Sequence, residues 1–250
     1  MRLAASASSN RSFLLVSAVI FAVSTTVTIA LCTPVSTIVM CAPGRTWFSE
    51  LAAFLGMWVV MMVAMMLPSL TPMLLRYRQV VGHEAKLQRV RLTLLVAFGY
   101  YFVWTVLGLL AYLIGVTLSA IETRLPAIAH AATFLAGMVV LFAGLLQFSK
   151  WKAHHLDGSR MLPGCDHRRL TDAVIALQYG LRLGLHCSYC CSGLMAILLV
   201  IGIMDLPAMT VVTLAMTSER LAPNGKRVAQ AIGFVCIGAG AMTIARAAGL

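Results

Sequence analysis

Acidic side chains are scarce in this chain: 8 Asp and Glu among 250 residues, beside 19 Lys and Arg, for a formal net charge of +11. Paired carboxylates for general acid–base work are absent, and most acidic residues fall between apolar runs, which argues against a hydrolytic enzyme. Charge of either sign is thin, at 11% of residues, against about 25% in a soluble protein. Several motifs are missing as well. There is no His-Glu-x-x-His and no Gly-x-Ser-x-Gly, the signatures of zinc peptidases and serine hydrolases. Neither the phosphate-cradling Gly-x-x-x-x-Gly-Lys-[Ser/Thr] loop nor a phosphorylatable Asp-Lys-Thr-Gly occurs, so ATP-driven pumping by this chain alone is not expected. No repeat of fixed period interrupts the pattern.

What remains is apolar. Sixty per cent of the residues are hydrophobic and the mean hydropathy is +0.91, too little polar surface for a protein covered by water. At about 20 residues per span, about 150 apolar positions build at most about seven helices. The expected fold is all-α, a polytopic transmembrane helical bundle of about seven spans, with residues 1–250 forming a single integral membrane domain. The apolar runs are 12–32, 48–75 with Pro68 and Pro72 inside it, 92–118, 131–148, 173–185 interrupted by Arg182, 190–217 broken by Asp205 and Pro207, and 228–244. The first run is longer than a signal-peptide core and lacks a convincing small-x-small site, so it reads as an uncleaved span.

The basic residues alternate with these runs. Arg2 and Arg11 precede the first; Arg76, Arg78, Lys86, Arg89 and Arg91 follow the second; Lys150, Lys152, Arg160, Arg168 and Arg169 follow the fourth; Arg220, Lys226 and Arg227 precede the last. The alternate gaps hold only Arg45 and Arg124. By the positive-inside rule the N-terminus is cytoplasmic at a bacterial inner membrane, with 32–49 and 119–130 outside. This pattern makes the lipid bilayer, not nucleic acid, the partner of the positive charge. Arg169 and Arg220 on one side require an even number of crossings between them. The break falls either near residues 187–191 or near 205–207. Both give seven crossings; six result if 173–185 lies flat and 208–217 fails to cross.

Sulfur is abundant, with 15 Met and 7 Cys. Met57, Met61 and Met65 recur at helical spacing, Met62 and Met66 form a second such pair, and Met73 follows. A stripe of this kind serves either as adaptable packing or as a row of thioether donors. A second cluster is His186-Cys187-Ser-Tyr-Cys190-Cys191, with Met195 one turn onward and Met204, Met209 and Met216 beyond. Thiolates and thioethers select Cu(I) first, with Zn as the thiolate-rich alternative; an Fe–S cluster wants four local Cys and finds three. Two other readings stay open: a redox Cys-x-x-Cys formed by Cys187 and Cys190, or buried structural thiols.

The remaining polar groups divide in the same way. Cys32 and Cys41 form a disulfide in an oxidising compartment or add two soft ligands. Asp205 either lines a cavity, with Arg182 as partner and Met204 and Met209 completing a second metal site, or caps a helix ahead of Pro207. Glu219 and Arg220 lie at the inner boundary and are read as solvated. His154, His155 and His167, with Asp157, Asp166 and Cys165, form a second cytoplasmic metal site or a wet loop facing anionic lipid. Cys236, alone in an apolar run, is read as packing.

Two stretches carry a resemblance. One is Trp58…Met61…Ala64-Met65-Met66-Leu67-Pro68…Pro72-Met73. The other is Gly184-Leu-His186-Cys187-Ser-Tyr-Cys190-Cys191-Ser-Gly-Leu-Met195, then Gly202-Ile-Met204-Asp205-Leu, Met209, Glu219-Arg220 and Pro223-Asn-Gly225. Together, over 56–78 and 147–227, they resemble a bacterial family of predicted metal-binding integral membrane proteins of unknown function. The resemblance implies that the Cys triplet and the motif Met residues are ligands. The family's loop pattern Lys-x-x-Cys-Leu-x-x-Cys-Arg is altered here, with His155 and Ser159 at the two Cys positions.

The sequence therefore points to a membrane protein that handles or transports a soft metal, Cu(I) first and Zn second. Met61, Met62, Met65 and Met66 are expected to face Cys187, Cys190 and Cys191, with His186 and Met195 nearby. Expected partners are a periplasmic metal carrier or another membrane subunit. The alternatives are a membrane thiol-disulfide oxidoreductase and a non-catalytic scaffold or assembly subunit.

Overall fold

The structure, a computed structural model, describes residues 2–32, 47–82, 84–122, 126–152, 154, 171–203 and 205–248. Seven long helices are found among them: α1 (Arg2–Leu31), α2 (Trp47–Val80), α3 (Lys86–Glu122), α4 (Pro126–Leu146), α5 (Ala173–Ile201), α6 (Leu206–Leu221) and α7 (Gly225–Ala247). The described residues contain no strand. Five helices are long and apolar enough to cross a membrane: α1 over its 22 residues from Asn10 to Leu31, α2, α3 up to Leu118, α5 and α7. In α4 the apolar stretch is the shorter Phe134–Leu146. The helix α6 has 16 residues and spans about 24 Å, short of the roughly 30 Å of a bilayer core.

The break after the Cys cluster is decided. The helix α5 runs without interruption through Arg182 and through Cys187, Cys190 and Cys191, so the alternative break near residues 187–191 does not occur. The chain turns at Gly202, whose φ of +126° is a conformation that only glycine adopts without strain. Asp205 then starts α6: its Oδ1 accepts the Ala208 N–H at 2.8 Å, with Pro207 in the first turn. Asp205 and Arg182 are both exposed. The cap reading of Asp205 is thus the observed one. Replacing Asp205 with Ala is expected to cost about 1 kcal/mol of stability, read from unfolding in mixed micelles, while Asn retains the cap.

The chain divides into two compact units: residues 1–108 with 160–185, and 109–159 with 186–250. In the first, α1 packs on α2, and the buried Arg78 guanidinium lies 4.6 Å from the Phe13 ring. Trp58 donates from Nε1 to the Trp104 carbonyl at 2.8 Å, joining α2 to α3. The prolines do not end α2. They remove N–H donors, and side chains at the same level find backbone partners: Ser69 and Thr71 donate to the Met66 and Leu67 carbonyls at 3.0 and 2.8 Å. The first half of α5 lies so close to α3 that a Cβ on Gly99 would meet the Leu177 carbonyl at 2.7 Å. Such small-residue contacts hold helices together by close backbone approach.

The second unit uses the same device along α4 and α7. Gly137 and Gly144 lie seven residues apart, as do Gly233 and Gly240, and the two rows face each other. A Cβ on Gly144 would meet the Ile237 backbone N at 2.8 Å, and one on Gly240 the Leu141 backbone N at 2.7 Å. Backbone cannot swing away as a side chain can. Gly144→Val is therefore expected to destabilise the protein by about 1–3 kcal/mol; a melting curve unchanged from wild type would contradict this packing.

Candidate metal centre

The Met stripe of α2 faces inward within the protein. Met57, Met61, Met62, Met65, Met66 and Met73 are all buried, which excludes a lipid-facing row. They belong to the first unit, whereas His186, Cys187, Cys190, Cys191 and Met195 belong to the second.

Helical geometry sets the thiols out. Positions i, i+3 and i+4 of α5 share one face, and all three cysteines are fully buried or nearly so. The Sγ atoms of Cys187 and Cys191 are 3.9 Å apart. Cys191 also interacts with Cys190, so each of the three thiols has another as neighbour. Among the described residues, no three His, Cys, Asp or Glu side chains converge on one point that could hold an ion. The sulfurs form a row of neighbouring pairs and not a closed cage. His186 is half-buried and Met195 is buried.

Sequence reasoning missed the groups around this row. Positions 187–201 of α5 and 206–220 of α6 flank the Gly202 turn by equal lengths, about 21 Å at helical rise. The returning helix therefore sets Arg220 level with Cys187. Arg220 Nη1 donates to Cys187 Sγ at 3.1 Å, and both are buried. The expectation of a solvated Glu219 and Arg220 is overturned: Glu219 is 0% exposed and Arg220 7%. A helical residue beside a boundary arginine still points into the protein when its face does.

Glu219 is paired with Lys152, Nζ to Oε2 2.7 Å. Lys152 is also buried, not a loop residue in water, and donates to Gln147 Oε1. After α4 the chain makes a tight turn in which the Trp151 N–H donates to Ser149 Oγ at 3.1 Å, directing Lys152 inward. Both Lys152 and Arg220 act electrostatically on Cys190. Arg220 thus puts a guanidinium N–H on the Cys187 sulfur, and Lys152, held by Glu219, lies beside Cys190; sulfur binds metal as the thiolate.

A family model described as a copper chaperone (PpoB2) matches residues 55–243. The chain belongs to this copper chaperone family. The match covers both the Met stretch and the Cys stretch, so the metal-related family expected from the motifs is narrowed to copper. No curated protein and no solved structure gives a match. For a copper chaperone the donor set is chemically apt, because thiolates and thioethers are the ligands that favour Cu(I) over harder cations.

Other expected positions fall outside the described residues: Met204 of the second site, Cys41 of the Cys32–Cys41 pair, and His155, His167 and Cys165 of the cytoplasmic loop. Met209 is buried in α6, and Asp205 is engaged as its cap. The signal that could have exposed Glu219 and Arg220 was their place in the family-like motif, which composition and charge counting alone passed over.

Proposed function

We propose that this copper chaperone is an integral membrane protein whose cargo is Cu(I), held on Cys187 and Cys191 with Cys190 as the neighbouring sulfur. The observation that carries this reading is the buried thiol pair with Arg220 donating to one member. Two thiolates and Cu(I) sum to one negative charge, which the arginine offsets inside an apolar site. With metal–sulfur bonds of about 2.3 Å, sulfurs 3.9 Å apart subtend roughly 115° at the ion, nearer trigonal than linear. A third soft donor is thereby accommodated. The buried methionines Met61, Met62, Met65 and Met66 are a second set of soft donors in the other unit, weak enough for an ion to leave.

In this proposal α4 and α6 cross with the five longer helices, the bilayer thinning locally to match the 16 residues of α6, giving seven crossings with a cytoplasmic N-terminus at a bacterial inner membrane. The basic stretches then lie on the side that carries anionic lipid. The oxidoreductase reading is less well served. Cβ atoms three or four apart on a helix are about 5–6 Å apart, whereas a disulfide needs about 3.5–4.5 Å, so α5 would have to unwind to close one.

The test is metal analysis of the purified full chain, with competition against a Cu(I) chelator and against Zn. One tightly held Cu(I) per chain, not displaced by Zn, is expected. Equal retention of Zn, or no copper, would overturn the assignment.

A further inference from the structure

A small cavity of about 10 Å³ leads to the thiol row. Its lining includes Cys190, Lys152, Gln147, Gly193, Trp151 and Tyr189. Cys187 and Cys191 do not line it. Trp151 and Tyr189 meet edge to face, with ring centroids 5.5 Å apart, and each is 45% exposed while Cys190 beneath is 1% exposed. A cavity of this size holds about one water. It does not admit a foreign sulfur while the rings touch, but two half-exposed aromatic side chains can part without disturbing the core.

We infer that Cys190 is the exchange thiol of the row, reached by a Cu(I)–thiolate carrier through a port closed by Trp151 and Tyr189, while Cys187 and Cys191 are the holding pair. This rests on the copper reading above. The division follows from position: Cys190 lines the port and the other two do not, while Cys187 and Cys191 lie 3.9 Å apart and Arg220 holds Cys187. Charge selects the carrier. Lys152, its partner Glu219 and Arg220 sum to one positive charge beside the thiols, which repels a bare cation and attracts an anionic one, so copper arrives as an anionic thiolate complex. In the exchange a carrier sulfur–copper bond breaks and a Cys190 sulfur–copper bond forms. The Cys190 proton leaves with the departing carrier thiolate, and copper stays Cu(I) throughout.

The experiment uses the full chain in lipid nanodiscs and has two arms. In the copper-free arm, a small methanethiosulfonate reagent is added and the labelled cysteine is found by mass spectrometry. Cys190 should label at least about tenfold faster than Cys187 or Cys191, and Trp151→Ala or Tyr189→Ala should speed it about tenfold further. Equal labelling of the three thiols, or no response to either aromatic variant, overturns the port. In the second arm, Cu(I) is supplied as its glutathione complex or as its cationic acetonitrile complex. Loading should be at least about tenfold faster from the glutathione complex and faster still in Trp151→Ala; equal rates from the two sources overturn the anionic carrier. A chain that takes up no copper from either source while Cys190 still labels first refutes the copper reading and the carrier, and leaves the port standing.

Discussion

Cys187→Ser together with Cys191→Ser should strip the chain of tightly held copper. The affinity for Cu(I), measured by chelator competition, is expected to fall at least about a hundredfold, roughly 2.7 kcal/mol. The reason is the pairing itself. The two sulfurs lie 3.9 Å apart, and serine offers a hard, protonated oxygen that Cu(I) does not favour. Each single variant should lose most of this, because one remaining member cannot hold the ion with its former partner. Arg220→Met should weaken binding less than the double variant, since it removes the balancing charge and keeps both donors. If the double variant retains wild-type copper content and affinity, the thiol pair is not the site, and the search moves to the methionines of α2. Circular dichroism separates loss of binding from loss of fold, because serine is smaller than cysteine by little and α5 keeps its helical hydrogen bonds.

The second large effect concerns the buried ion pair. Removing one partner from a buried salt bridge typically costs about 3–5 kcal/mol, because the other charge is left in an apolar site. Lys152→Met leaves Glu219, which is 0% exposed, without its cation. Glu219→Gln leaves Lys152 with Gln147 and no anion. Each should lower stability by about 3 kcal/mol or more. The double variant removes both charges and should recover much of that loss, with a coupling of at least about 2 kcal/mol in the cycle. Additive single effects would show that the two residues are stabilised separately and that their 2.7 Å contact contributes little.

Much of the architecture was legible because its cause is local or compositional. A 60% apolar chain can satisfy its backbone in lipid only within helices or closed barrels, and long unbroken apolar runs select helices. The runs around 48–75, 92–118 and 228–244 lie within α2, α3 and α7. The run at 173–185 holds Arg182 as an interruption and stops before His186, whereas α5 continues past both to Ile201. An exposed arginine on one helix face does not stop a helix, because its long side chain can carry the charge away from the apolar surface. The break that does occur needs Gly202 in a left-handed conformation and an aspartate cap, and both signals were present in Gly202-Ile-Met-Asp205-Leu-Pro207.

The candidate centre was legible in part. Sulfur type and i, i+3, i+4 spacing marked Cys187, Cys190 and Cys191, and helix periodicity placed Met61, Met62, Met65 and Met66 in one stripe. The Cys-x-x-Cys pattern drew attention to Cys187 and Cys190, whereas the close pair is Cys187 and Cys191, since four residues bring a helix nearer to one full turn than three. That the stripe is buried was not legible. Periodicity defines a face but not what covers it.

The sequence by itself determined that this is a helical, sulfur-rich, apolar chain, because composition and helical period act through nearest neighbours along the backbone. Only the tertiary structure decided that Arg220 reaches Cys187 and that Lys152, Glu219 and Gln147 are buried together beside Cys190. Apart from Lys152 on Gln147, five residues away, those contacts join side chains separated by tens of residues. The turn at Gly202, the length of α6 and the glycine seam between α4 and α7 bring them to one level, and no local pattern encodes that alignment.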